Sequence, residues 1–140
     1  MTTQLHSAPA DRKAMQRRLG AYQSQAVETA SPARLVSLLF AGALRHTGLA
    51  QVAITAGSVQ DAHQHLVQAQ KIVTELSASL NMKEGGELAD RLAALYDYVT
   101  SRLVEANVKK DAAVLGPAVE VLTSLSESWN EMSGGMFADE

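Results

Sequence analysis

The chain contains no cysteine, and its 140 residues include only three prolines, one tryptophan, three tyrosines and two phenylalanines. The first absence excludes disulfides and thiolate metal sites. Few prolines and few β-branched clusters leave nothing to interrupt helix, so helix is expected throughout. There is no excess of positive charge: the net charge is −3 and the pI about 5.8, which argues against a nucleic-acid partner. Residues 1–21 hold no apolar core of a signal peptide. The longest apolar run, 35–44, is bracketed by Arg34 and Arg45 and is too short for a bilayer, which needs about 20 residues. The expectation is a cytoplasmic protein without membrane insertion.

Catalytic and metal motifs are missing as well. A carboxylate-bridged metal pair in a helical bundle needs Glu-x-x-His, and no glutamate here is followed three residues later by histidine. His63 and His65 point to different sides of a helix, so they cannot share an ion and are expected on the surface. His46 has no acidic residue three or four places away and reads as a helix-boundary residue. No serine sits in a Gly-x-Ser-x-Gly elbow, and Gly85-Gly86 lacks the lysine and spacing of a phosphate loop. Arg12-Lys13 and Arg17-Arg18 read as a solvated helix face. The chain is therefore not expected to be an enzyme or to need a cofactor or metal.

What is present is helical periodicity. A length of 140 residues suits one domain with a sizeable core. Residues 1–10 read as a disordered tail and 11–132 as a single bundle domain, with 11–30 a short N-terminal helix and lid segment; 133–140 is a second tail. The N-terminal helix, 11–22, has a thin stripe of Ala14, Met15, Leu19 and Tyr22. Ser31-Pro32 then marks a strong start: serine caps the first turn, and proline lacks an amide that would be orphaned there anyway. This helix is expected over 32–56, stopping at Gly57. Gly42 inside it suggests close approach of a neighbour, since interior glycine costs about 1 kcal/mol. The next helix, 58–80, carries Ala62, Leu66, Ala69, Val73, Leu76 and Leu80 at alternating steps of four and three, a bundle seam.

After a turn at 81–86, a helix from Gly86-Glu87 to about Lys110 shows a stripe of Leu88, Leu92, Leu95, Val99 and Leu103, widened by Tyr96. Asp111 caps a last helix with Leu115, Ala118, Val119, Leu122, Leu125 and Trp129 on its stripe. Pro117 predicts either a kink or a start later than Asp111. Trp129 is expected in the core. The fold class is an all-α antiparallel four-helix bundle with an additional short N-terminal helix.

One feature exceeds the needs of such a bundle. Helix 32–56 offers two apolar stripes, Leu35, Leu38, Gly42 and Leu49 on one and Val36, Leu39, Ala43 and Ala50 on the other, with Phe40 and Leu44 between. The second covering comes from the N-terminal segment, from a second copy in a permanent homodimer, or from amphipathic helices of another chain.

Tyr22-Gln23, Val27, Thr29-Ala30-Ser31-Pro32, Leu35 and Leu39-Phe40-Ala41-Gly42-Ala43 form an ordered series. It continues through Gln70-Lys71-Ile72-Val73, Glu75-Leu76, Ser79-Leu80-Asn81 and Gly85-Gly86-Glu87-Leu88-Ala89. It ends with Leu95-Tyr96-Asp97-Tyr98, Arg102-Leu103, Glu105-Ala106-Asn107 and Trp129. This series, covering about residues 19–130, resembles the flagellin-specific flagellar secretion chaperones. The chain departs from that family's pattern at Ala33 and Ala41 and in its N-terminal extension.

The resemblance implies a cytoplasmic bundle that binds the C-terminal segment of flagellin, holds it monomeric and delivers it to the flagellar type III export gate. It also implies an N-terminal segment that covers part of the groove until flagellin displaces it. Leu19 and Tyr22 match a family pair implicated in export-gate docking. For the flagellin groove the expected residues are Val27, Leu35, Leu38, Leu39, Leu44, Leu92 and Tyr96.

Overall fold

The computed structural model describes residues 31–137, with side chains described through Met132. The short N-terminal helix expected over 11–22 lies outside the described residues.

Four long helices follow one another: α1 (Pro32–Thr55), α2 (Val59–Ala78), α3 (Met82–Lys109) and α4 (Gly116–Phe137). A 3-10 turn, Ala112–Leu115, precedes α4. There is no strand among the described residues. Residues 56–58 and 79–81 are short connections that force neighbouring helices to run antiparallel. Each helix packs on its sequence neighbours, and α1 closes the ring against α4, with the α1–α2 interface the most extensive.

Local signals explain the boundaries. Ser31 Oγ accepts from the Arg34 amide at 3.2 Å, and Pro32 occupies the first turn of α1. Gly57, at φ +80°, turns the chain out of α1, a left-handed geometry that L side chains resist. α3 begins earlier than the sequence suggests. Asn81 caps it by accepting from the Glu84 amide at 3.1 Å, so Met82 and not Gly86 is the first residue. Gly86 instead forms a kink inside the helix, at φ 54° and ψ −132°. Asp111 accepts from the Ala113 amide at 3.0 Å but caps the 3-10 turn. α4 itself starts at Gly116, which leaves Pro117 in its first turn, where no amide is missed. The later start is thus the outcome, not a kink, and α4 runs on to Phe137.

The core follows the 4-3 seam of α2: Ala62, Leu66, Ala69, Val73 and Leu76 are buried, with Ile72 beside them. Against it pack Leu39, Phe40, Ala43 and Ala50 of α1 and Tyr96, Val99, Leu103 and Ala106 of α3, with Leu115, Ala118 and Leu122 below. α1 is long and apolar enough to cross a membrane by length and composition, although the run 35–44 alone is not. The core takes up one side of it, where Ala43 and Ala50 are fully enclosed, while Leu35, Leu38 and Leu44 are half-buried and Val52 is exposed. The inward face of α3 differs from the expected stripe. Leu88 is 66% exposed and Leu95 37%, whereas Tyr96 is only 4% exposed and Ala89 3%.

His46 is not at a helix boundary; it lies within α1 and is buried. His65 is half-buried and not a solvated surface residue: its Nδ1 lies 3.1 Å from Nδ1 of His46. His63 is exposed, as expected, with Nδ1 3.0 Å from Asn107 Nδ2. At the far end of α3, Arg102 donates to the Val114 carbonyl at 3.4 Å, tying α3 to the 3-10 turn. Lys109 and Arg102 also hold the Glu105 carboxyl below its ordinary pKa.

Candidate functional site

The antiparallel order brings the start of α1, the end of α2, the start of α3 and the later turns of α4 to one end of the bundle. Between them opens an apolar groove of about 380 Å³. Val36 and Phe40 of α1 form one wall, Leu92 and Tyr96 of α3 another, and Leu125 and Trp129 of α4 a third. Leu80 lies in the connection after α2, and Leu88 and Met132, both exposed, stand at the rim.

Each wall has a local cause. In α1, Phe40 is 3% exposed and its ring centre lies 6.5 Å from that of Tyr96 at a tilt of 46°. Aromatic rings favour such inclined contacts at this separation. Burial pushes the Tyr96 hydroxyl up to about 12, so the ring is neutral and serves as apolar floor. The indole Nε1 of Trp129 donates to the Ala33 carbonyl at 3.1 Å, and Ser37 Oγ donates to Asn130 Oδ1 at 2.9 Å. These two bonds fix α4 against the first turns of α1. Gly86 then bends the chain where α3 begins, just before Leu88 and Leu92 line the groove.

The lining is mainly apolar, with Ser79, Asn81 and Ser128 as its polar members. It contains no ionisable group except the neutral Tyr96. No cluster of three or more His, Cys, Asp or Glu side chains suited to a metal occurs among the described residues. A surface of this kind takes up apolar side chains of a partner helix.

The structure brings only part of the sequence-derived set to the groove. Leu92 and Tyr96 line it. Leu35, Leu38 and Leu44 are half-buried beside the core, and Leu39 is enclosed within it. Val27, Leu19 and Tyr22 lie outside the described residues. Sequence reasoning missed Val36, Phe40 and Trp129 as lining residues. Phe40 sits one turn after Val36 on α1, and that i, i+4 pairing was the available signal. Trp129, expected in the core, is half-buried with one side open to the groove.

Residues 15–135 match the family described as Flagellar protein FliS. The chain belongs to the FliS family. Among curated relatives it is 35% identical over 118 residues to the flagellar secretion chaperone FliS of Bacillus subtilis, covering 84% of this chain and 87% of that protein. It is 35% identical over 109 residues to the FliS of Salmonella typhimurium, covering 77% and 81%. It is 32% identical over 116 residues to the flagellar secretion chaperone FliSB of Pseudomonas aeruginosa, covering 80% and 92%. Family membership places the chain among flagellar secretion chaperones, a non-enzymatic class.

Proposed function

We propose that this chain is a cytoplasmic export chaperone that binds the disordered C-terminal segment of flagellin, prevents its premature polymerisation and delivers it to the flagellar type III export gate. The observation that carries the reading is the uncharged groove between α1, α3 and α4. A disordered segment pays ordering entropy when it folds on a partner, and burial of apolar side chains can offset that cost. Leu92 and Tyr96 contact the segment directly, joined by Val36, Phe40 and Trp129. Leu35, Leu38 and Leu44 extend the contact surface along α1, Val27 contributes from the N-terminal side, and Leu39 backs the wall from the core. Leu19 and Tyr22 dock on the export gate.

Calorimetric titration of a flagellin C-terminal peptide into the full chain tests this. Heat is released, helicity rises by circular dichroism, and a variant lacking residues 1–22 binds at least as tightly. No binding at micromolar peptide, with a stable dimer by light scattering, would favour a permanent homodimer and overturn the proposal.

A further inference from the structure

The α1–α2 interface contains a pair of histidines that the groove does not use. Their Nδ1 atoms are 3.1 Å apart, within hydrogen-bond distance. Their ring centres are 5.3 Å apart. That separation is close to the N-to-N distance plus the radii of both rings, so each Nδ1 lies near the line joining the centres. The two nitrogens meet head-on. In a bis-histidine metal site the lone pairs would converge on a point beside that line. Head-on geometry fits a shared N–H···N proton instead.

The burial of the two rings is unequal. His46 is 7% exposed and His65 is only half-buried. A neutral imidazole has one N–H and one bare nitrogen, and a partner fixes which is which. We propose that His46 and His65 form a directional clasp between α1 and α2, in which His65 donates from Nδ1 and His46 accepts at Nδ1. A proton added to His46 removes the acceptor and sets two N–H groups against each other.

Burial above all, then His65 on α2 and Arg45 on α1, hold His46 toward its neutral form. On α2, His63 lies two residues before His65 and pairs with Asn107 of α3, while Asp61 is one turn away and exposed. His46 is thus the ring that stays neutral, and the clasp opens only when acid finally charges it.

Long-range proton–nitrogen correlation spectra of the full chain, labelled with 15N, read the tautomers directly. At neutral pH, His46 is expected with a bare Nδ1 and protonated Nε2, and His65 with the reverse. A proton on Nδ1 of His46, or tautomer averaging in both rings, overturns the assignment. Neither His65→Ala nor His65→Gln can carry charge or the imidazole donor, so in each the titration midpoint of His46 moves up toward the ordinary histidine value. If one fails to fold, the other is read in its place. A midpoint unmoved in the folded variants overturns the clasp.

Discussion

The indole N–H of Trp129 donates to the carbonyl of Ala33 at 3.1 Å, across 96 positions of sequence. The bond joins the C-terminal half of α4 to the first turn of α1 and sets the width of the groove between them. Trp129→Phe keeps most of the apolar ring but deletes the donor. A single neutral hydrogen bond contributes about 1 kcal/mol, so that variant is expected to melt a few degrees lower. Trp129→Ala also removes packing against the core, and a loss of about 3 kcal/mol follows. Urea denaturation of both variants checks the ordering. Equal stability of Trp129→Phe and the parent would show that the bond is fully replaced by water.

The groove itself was only half legible from sequence, and the reason is geometric. On α2 one stripe stands alone at steps of four and three, so its inward face could be read directly. α3 carries Leu88, Ala89, Leu92, Ala93, Leu95, Tyr96 and Val99 over a wide arc, and two stripes one residue apart both satisfy helical spacing. Periodicity favoured the leucines, yet the bundle buries Ala89 and Tyr96 and leaves Leu88 and Leu95 outside. The smaller alanine permits close approach there, and the kink at Gly86 precedes that turn. α1 posed the same difficulty with Leu35 and Leu38 against Val36 and Phe40. The His46–His65 contact had no sequence signal at all, because it depends on the relative register of two helices.

Gly86 is the sharpest local constraint on that arrangement. Its φ of +54° with ψ of −132° lies where L side chains are strained, although a Cβ there would meet nothing within 4 Å. Gly86→Ala therefore tests backbone strain without a steric clash. The expected cost is about 1–2 kcal/mol, or straightening of α3 across the kink. Only straightening moves the first turn, residues 82–85, relative to Leu88 and Leu92. Thermal melts together with peptide titration separate the two, since straightening changes binding more than stability.

Acid should destabilise the fold through His46. Its ordinary value is 6.5, and burial, with help from His65 and Arg45, lowers it to about 4 in the folded chain. Between these values the unfolded chain binds a proton that the folded chain refuses. Stability from the neutral ring is thus present above pH 6.5 and is lost as pH falls toward 4. His46→Gln lacks the titrating group, so its melting temperature is expected to fall less than the parent's between pH 7 and pH 4.5. Parallel curves for the two proteins would contradict the assignment.

Leu88 offers the cleanest separation of binding from folding. It stands at the groove rim, 66% exposed, on the first turns of α3 after the kink. A side chain with that much water contact contributes little to the core, so Leu88→Glu is expected to change stability by no more than about 0.5 kcal/mol. The same change places a carboxylate where an incoming helix would bury apolar surface. Losing one apolar contact and desolvating a charge together weaken flagellin-peptide binding by about 2 kcal/mol, a roughly thirty-fold rise in Kd. Leu38→Asp is the companion, because Leu38 is half-buried against the core and does not line the groove. It is expected to lower the melting temperature more than Leu88→Glu does and to weaken binding less. If Leu38→Asp instead abolishes binding while melting cooperatively near the parent temperature, the partner lies along the Leu35–Leu38 side of α1, and the groove between α1, α3 and α4 is not its principal seat.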